Sequence, residues 1–258
     1  MRSILVHADR TTAMEPRLET ALALARSTNG HVSVLVETPV ARFTAVDPMG
    51  MSYVAADAIR ESLDRDDAWA REIEARLARE DVPFDVIRGE EEPVDGLADA
   101  ARLADVVILS RGCDFAGTLA LATRCPLLLV AGVPVPMPVS RACIAWDGGD
   151  EAAAALRASV PLLRGADVHV LTIEEERGAF PSTAALRYLS RHGVNAEFVA
   201  VERTGSTTES LSAAAARLQA ELLVLGAYGR SRMREFLFGG VTRNLLADSG
   251  TPALLVAH

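Results

Sequence analysis

"RACIAWDGGDEAAAALRASVPLLRGADVHVLTIE", residues 141–174, decides the fold. It opens on a short apolar run ending at Asp147, continues into an Ala- and Leu-rich helical stretch closed by Gly165, and finishes on a β-branched run of strand length. Strand, helix and strand at this spacing make one crossover unit of a parallel sheet.

The same order stands near the N-terminus. "SILVHAD" (3–9) ends on Asp9, a helical stretch runs to Gly30, and "HVSVLVE" (31–37) follows. Working outward, helices are expected at 57–80 and 181–192, and third strands at "PFDVIRG" and "NAEFVAVE". Further helices are expected at 92–103 and 207–219, fourth strands at "ADVVILS" (104–110) and "AELLVLG" (220–226), and fifth strands at "CPLLLVAG" and "TPALLVAH". The strands are apolar almost throughout, as strands covered on both faces are. Between the halves, "AGVPVPMPVS" (131–140) alternates proline with small apolar residues and reads as a semi-rigid linker. The expectation is an α/β protein of two Rossmann-like domains, 1–132 and 140–258, joined by residues 133–139, each a five-stranded parallel sheet with helices on both faces.

The copies differ after strand four. From Gly226 to Pro252 the second half takes 26 steps along the chain, and the first takes 16 from Ser110 to Pro126. The extra ten residues belong to "GAYGRSRMREFLFGGVTRNL" (226–245). In open α/β sheets ligands bind beyond the carboxyl ends of the strands, where strands one and four adjoin. Asp147 and Gly226 are expected to face that cleft together. Glycines there permit close backbone approach, and "GGVTRNLL" reads as a helix start whose free N–H groups favour phosphate. Arg230, Arg232, Arg234 and Arg243 add charged donors.

Composition narrows the function. The net charge is −9 with no basic concentration, so neither nucleic acid nor an anionic membrane is an expected partner. All 26 basic residues are arginine, which excludes lysine chemistry and the lysine of a P-loop. Cys113, Cys125 and Cys143 have no CxxC spacing and read as reduced, partly buried thiols. The five histidines form no HxxxH or HExxH pattern, so neither a metal site nor a nucleophile–base pair is expected. No apolar run reaches the ~18 residues of a membrane span, and a soluble cytoplasmic protein is expected.

The glycine segment resembles the universal stress protein family. That family carries a glycine, two residues, a glycine, nine residues, a glycine and then serine or threonine after strand four. Here Gly226, Ala227, Tyr228 and Gly229 begin the pattern, and nine residues lead to Gly239. "ILVHAD" and "CIAWDGGDEAAAAL" resemble the family's opening strand and first helix, so the resemblance covers both halves as a tandem member with adenine-nucleotide alpha hydrolase-like domains. It implies an ATP site, with Mg2+, formed by Asp147 beside the adenosine, the backbone at Ile173 by the base, and Gly226, Gly229, Arg230, Gly239 and Gly240 around the phosphates. Val241 and Thr242 belong to the helix start there. Gly240 departs from the family's serine or threonine, which removes about one hydrogen bond, ~1–3 kcal/mol toward a charged phosphate. The first half has "SRGCDFAGTLALATRCP" in place of the motif, and its implied role is to pack on the second half through the fifth strands, as an intramolecular pseudo-dimer open to further homodimerisation.

Each residue also has a structural reading. Asp147, Asp150 and Asp9 suit helix starts, Gly226 and Gly229 suit a turn, and Trp146 and Tyr228 suit packing. Three functions follow: a nucleotide-binding regulatory or stress-response protein, an interaction scaffold with two degenerate sites, or an ATP-hydrolysing enzyme. No catalytic residue is assigned, because "WDGGDEA" lacks the serines of a pyrophosphate loop and is crowded with acids.

Overall fold

In the computed structural model, residues 1–46, 52–173, 182–227 and 252–258 are described. The first half runs β1 (Ser3–His7), α1 (Met14–Thr28), β2 (His31–Glu37), a hairpin of β3 (Thr44–Val46) and β4 (Ser52–Val54), and α2 (Ala56–Leu77). It continues through β5 (Phe84–Gly89), α3 (Pro93–Ala100), β6 (Val106–Ser110), α4 (Ala116–Ala122) and β7 (Leu127–Val130). The second half runs β8 (Arg141–Ala145), α5 (Asp150–Ser159), β9 (Asp167–Ile173), α6 (Ser182–Arg191) and β10 (Ala196–Val201). It ends with α7 (Thr207–Arg217), β11 (Leu222–Gly226) and β12 (Ala253–Ala257).

All main strands join one ten-stranded sheet of order β10-β9-β8-β11-β12-β7-β6-β1-β2-β5. Within each half the pairing is parallel and the order is 3-2-1-4-5, so β8 lies between β9 and β11, and β1 between β2 and β6. The halves meet where β12 pairs antiparallel with β7, Leu255 opposite Leu128. The fifth strands do meet, and they do so edge to edge, fusing two expected sheets into one. The physical reason is that β7 and β12 are wholly buried apolar strands, and an unpaired edge of that kind would leave a row of backbone groups without partners.

Alternation along the strands divides the core in two. Ile4 and Val6 point to one face, with α1, α2, α5 and α6, and Leu5 points to the other, with α3, α4 and α7. Helices therefore cover both faces, as near-continuous apolar strands require. The hairpin and α4, in the short first-half loop, have no counterpart in the expected pattern. The proline segment is anchored to the first half: Val135 and Val139 are buried, and the Val135 N–H donates to Thr20 Oγ1 at 3.0 Å. The three thiols are free, and burial pushes Cys113 up to about 11 and Cys125 and Cys143 up to about 12, which keeps them protonated.

Candidate functional site

The second-half site is built at the carboxyl ends of β8, β9 and β11. In the β8–β11 ladder Val224 stands opposite Ile144, and two residues further along stand Trp146 and Gly226. Asp147 and Gly226 therefore share one rim of the sheet. Ile173, 3% exposed, ends β9 on the other side of β8, with Val201 of β10 beside it. The Trp146 N–H donates to the Leu171 carbonyl at 2.8 Å and Thr172 Oγ1 donates to the Trp146 carbonyl at 2.9 Å, fixing the β8 and β9 ends together. Trp146 is packed in the core, in accord with its structural reading.

Asp147 accepts a hydrogen bond at Oδ1 from the Gly149 N–H, 2.8 Å, an Asx turn that leads the chain into α5. Asp150 and Glu151 occupy the first turn of α5, where the helix dipole favours them. Gly226 answers to packing. A Cβ on it would lie 2.5 Å from the Ala152 nitrogen and the Glu151 carbonyl carbon, so the start of α5 rests directly on this glycine. The Ala227 N–H donates to the Ala257 carbonyl at 2.7 Å, the last contact before the glycine segment. Gly229, Arg230, Gly239, Gly240, Val241 and Thr242 lie outside the described residues, with Tyr228, Arg232, Arg234 and Arg243.

The corresponding rim of the first half is occupied by its own side chains. Asp9 Oδ1 accepts from the Thr11 N–H at 3.0 Å, from Thr11 Oγ1 at 2.6 Å and from Arg17 Nη2 at 2.5 Å. Burial pushes the Asp9 carboxyl up, and the Thr11 and Arg17 hydrogen bonds outweigh it and hold the group below its ordinary value. The Arg17 side chain is 1% exposed. His7 Nδ1 lies 3.5 Å from Arg17 Nη1, and Phe115 meets the imidazole edge to face at 5.4 Å. Burial, then the Arg17 charge, lowers His7 to about 4 against the opposing pull of Asp9, so the ring is neutral near pH 7. His7 Nε2 is 3.8 Å from Glu37 Oε2. Residue-by-residue reading does not single out His7, Arg17 and Glu37. The available signal was a charged residue ending a buried strand: Glu37 holds in β2 the place that Ile173 holds in β9.

Residues 182–257 match the model of the universal stress protein family. A universal stress protein from Archaeoglobus fulgidus DSM 4304 shares the fold over 99% of this chain and 96% of its own, at 17% identity and a TM-score of 0.67. A putative universal stress protein from Pseudomonas aeruginosa UCBPP-PA14 covers 100% of this chain and 93% of its own, at 16% identity and a TM-score of 0.51. A functionally unknown protein from Pseudomonas aeruginosa PAO1 covers 100% and 92%, at 16% identity and a TM-score of 0.52. No curated protein matches the sequence. The second half thus resembles the universal stress protein family over residues 182–257, and the whole chain shares its fold with the universal stress protein from Archaeoglobus fulgidus.

Proposed function

We propose that the second half binds an adenine nucleotide, ATP with its Mg2+, and that the bound state serves a regulatory or stress-response role. The observation that supports this reading is the adjacency of Asp147 and Gly226 at neighbouring strand ends, from which the glycine segment departs. In this reading Asp147 is assigned to the adenosine, the Ile173 backbone to the base, and Gly229, Arg230, Gly239 and Gly240 to the phosphates. The acids Asp150 and Glu151 oppose phosphate at the α5 start. The described residues fit a nucleoside better than they fit a triphosphate.

Calorimetry with millimolar ATP and magnesium tests the proposal: saturable heat supports it, and no heat from folded protein removes it. The packing of α5 on Gly226 and the acidic loop favour a second reading, an interaction scaffold without nucleotide. The Gly240→Ser variant separates the two. A nucleotide site gains about tenfold in affinity from the restored hydroxyl, and a scaffold gains nothing.

A further inference from the structure

The Glu37 carboxylate ends β2 with its side chain 1% exposed, and neither of its oxygens has a hydrogen-bond partner among the described residues. Helix α3 closes over it: a Cβ on Gly96 would lie 1.9 Å from Glu37 Oε1, so the carboxyl end packs directly against this glycine. On the other side, a Cβ on Gly89 of β5 would lie 3.5 Å from Glu37 Cγ. A buried carboxylate without donors is stable in that place only when neutral.

The charged groups around it favour the neutral form. From β1, His7 presents Nε2 at 3.8 Å and is itself neutral. From α1, Arg17 binds Asp9 through Nη2 and turns Nη1 to His7 Nδ1. From α2, Asp66 accepts from Thr38 Oγ1 and pairs with Arg10. From β5, Arg88 pairs with Asp67 and Glu74. Beside α4, Asp114 precedes the Phe115 that covers His7. At the head of α3, Glu91, Glu92 and Asp95 are all acidic, and Arg42 is held by Glu92. In the second half the positions matching His7 and Glu37 are Ala145 and Ile173, so this polar pair belongs to the first half alone.

We infer that Glu37 is a proton-controlled latch between β2 and α3. Protonated, it lets the head of α3 seat on the sheet through Gly96. Ionised, it repels Glu91, Glu92 and Asp95 and drives the head of α3 that carries them outward, until the carboxylate reaches water. The first half thus senses pH at the rim where its partner half carries the proposed nucleotide site. Burial, then the charges of Glu91, Glu92 and Asp95, raise Glu37 to about 7, which places the change near neutrality.

Hydrogen exchange of the full chain, corrected for intrinsic rates, tests this. Amides of residues 93–103 are expected to exchange at least tenfold faster at pH 8.5 than at pH 5.5, while β1 and β6 stay protected. Glu37→Gln is expected to hold them slow at both values. A response below twofold in the unmodified protein, or an undiminished response in Glu37→Gln, overturns the latch. Carboxyl carbon NMR of the unmodified protein gives an independent reading: a Glu37 titration near 7 supports it, and one below 5 overturns it.

Discussion

His7 and Glu37 stand 3.8 Å apart, and the same burial moves them in opposite directions, His7 down from 6.5 to about 4 and Glu37 up from 4.5 to about 7. Between pH 4.5 and 6.5 the unfolded chain holds the extra proton at His7, so that group adds stability as pH rises. Over the same window the folded chain holds the extra proton at Glu37, so that group removes stability as pH rises, and goes on doing so to about 7. The two slopes, about 1.4 kcal/mol per pH unit each, oppose one another. Each single variant uncovers the other's slope. From pH 5 to 6.5, urea unfolding of Glu37→Gln is expected to show a stability gain on the order of 2 kcal/mol, and His7→Gln a loss of the same order. The clustering of these two residues was not legible from periodicity, which placed His7 and Glu37 at strand ends but could not bring those ends together.

At the scale of the element, α5 and β11 explain each other. The Ala-rich sequence makes α5 a helix by propensity, and Gly226 lets its first turn lie against the strand end with backbone in contact. Gly226→Ala is expected to displace the start of α5, because the new methyl meets backbone atoms that cannot rotate away. Thermal unfolding should register a loss of about 1–3 kcal/mol, and the Asx turn of Asp147 should loosen with the helix. The strand and helix boundaries were readable here to within a residue or two: β2 occupies His31–Glu37, β9 Asp167–Ile173 and α7 Thr207–Arg217. The two strand runs were largely apolar and closed by an acidic residue, Glu37 and Glu174. The hairpin of β3 and β4 was missed, since three-residue strands carry no period to read.

For the whole molecule, the antiparallel β7–β12 pair is the only main-chain ladder between the halves among the described residues. Leu128 lies within β7, flanked by β6 and β12, so proline there removes a ladder hydrogen bond in the middle of the sheet. Leu128→Pro is expected to cost about 3 kcal/mol or more and to lower the melting temperature by roughly 6–12 °C. A calorimetric trace that stays single and unshifted would show that the two halves do not depend on this seam. Arg111 adds a second tie across it, donating from Nη1 to the Pro252 carbonyl at 2.7 Å, and burial lowers its guanidinium to about 10.

The sequence by itself determined the class of the protein: the period of its apolar residues, its chain breakers and the matching openings at Asp9 and Asp147 specify two parallel α/β units, because these are local properties of backbone and burial. It also located the glycine segment that makes the second half the candidate nucleotide site. Tertiary structure alone decided that the units share one sheet, that Gly226 serves the packing of α5, and that Arg17, His7 and Glu37 fill the rim of the first half. Those outcomes depend on contacts between residues far apart in the chain, such as Leu128 with Leu255 and Glu37 with Gly96, and no local pattern encodes which distant surfaces will meet.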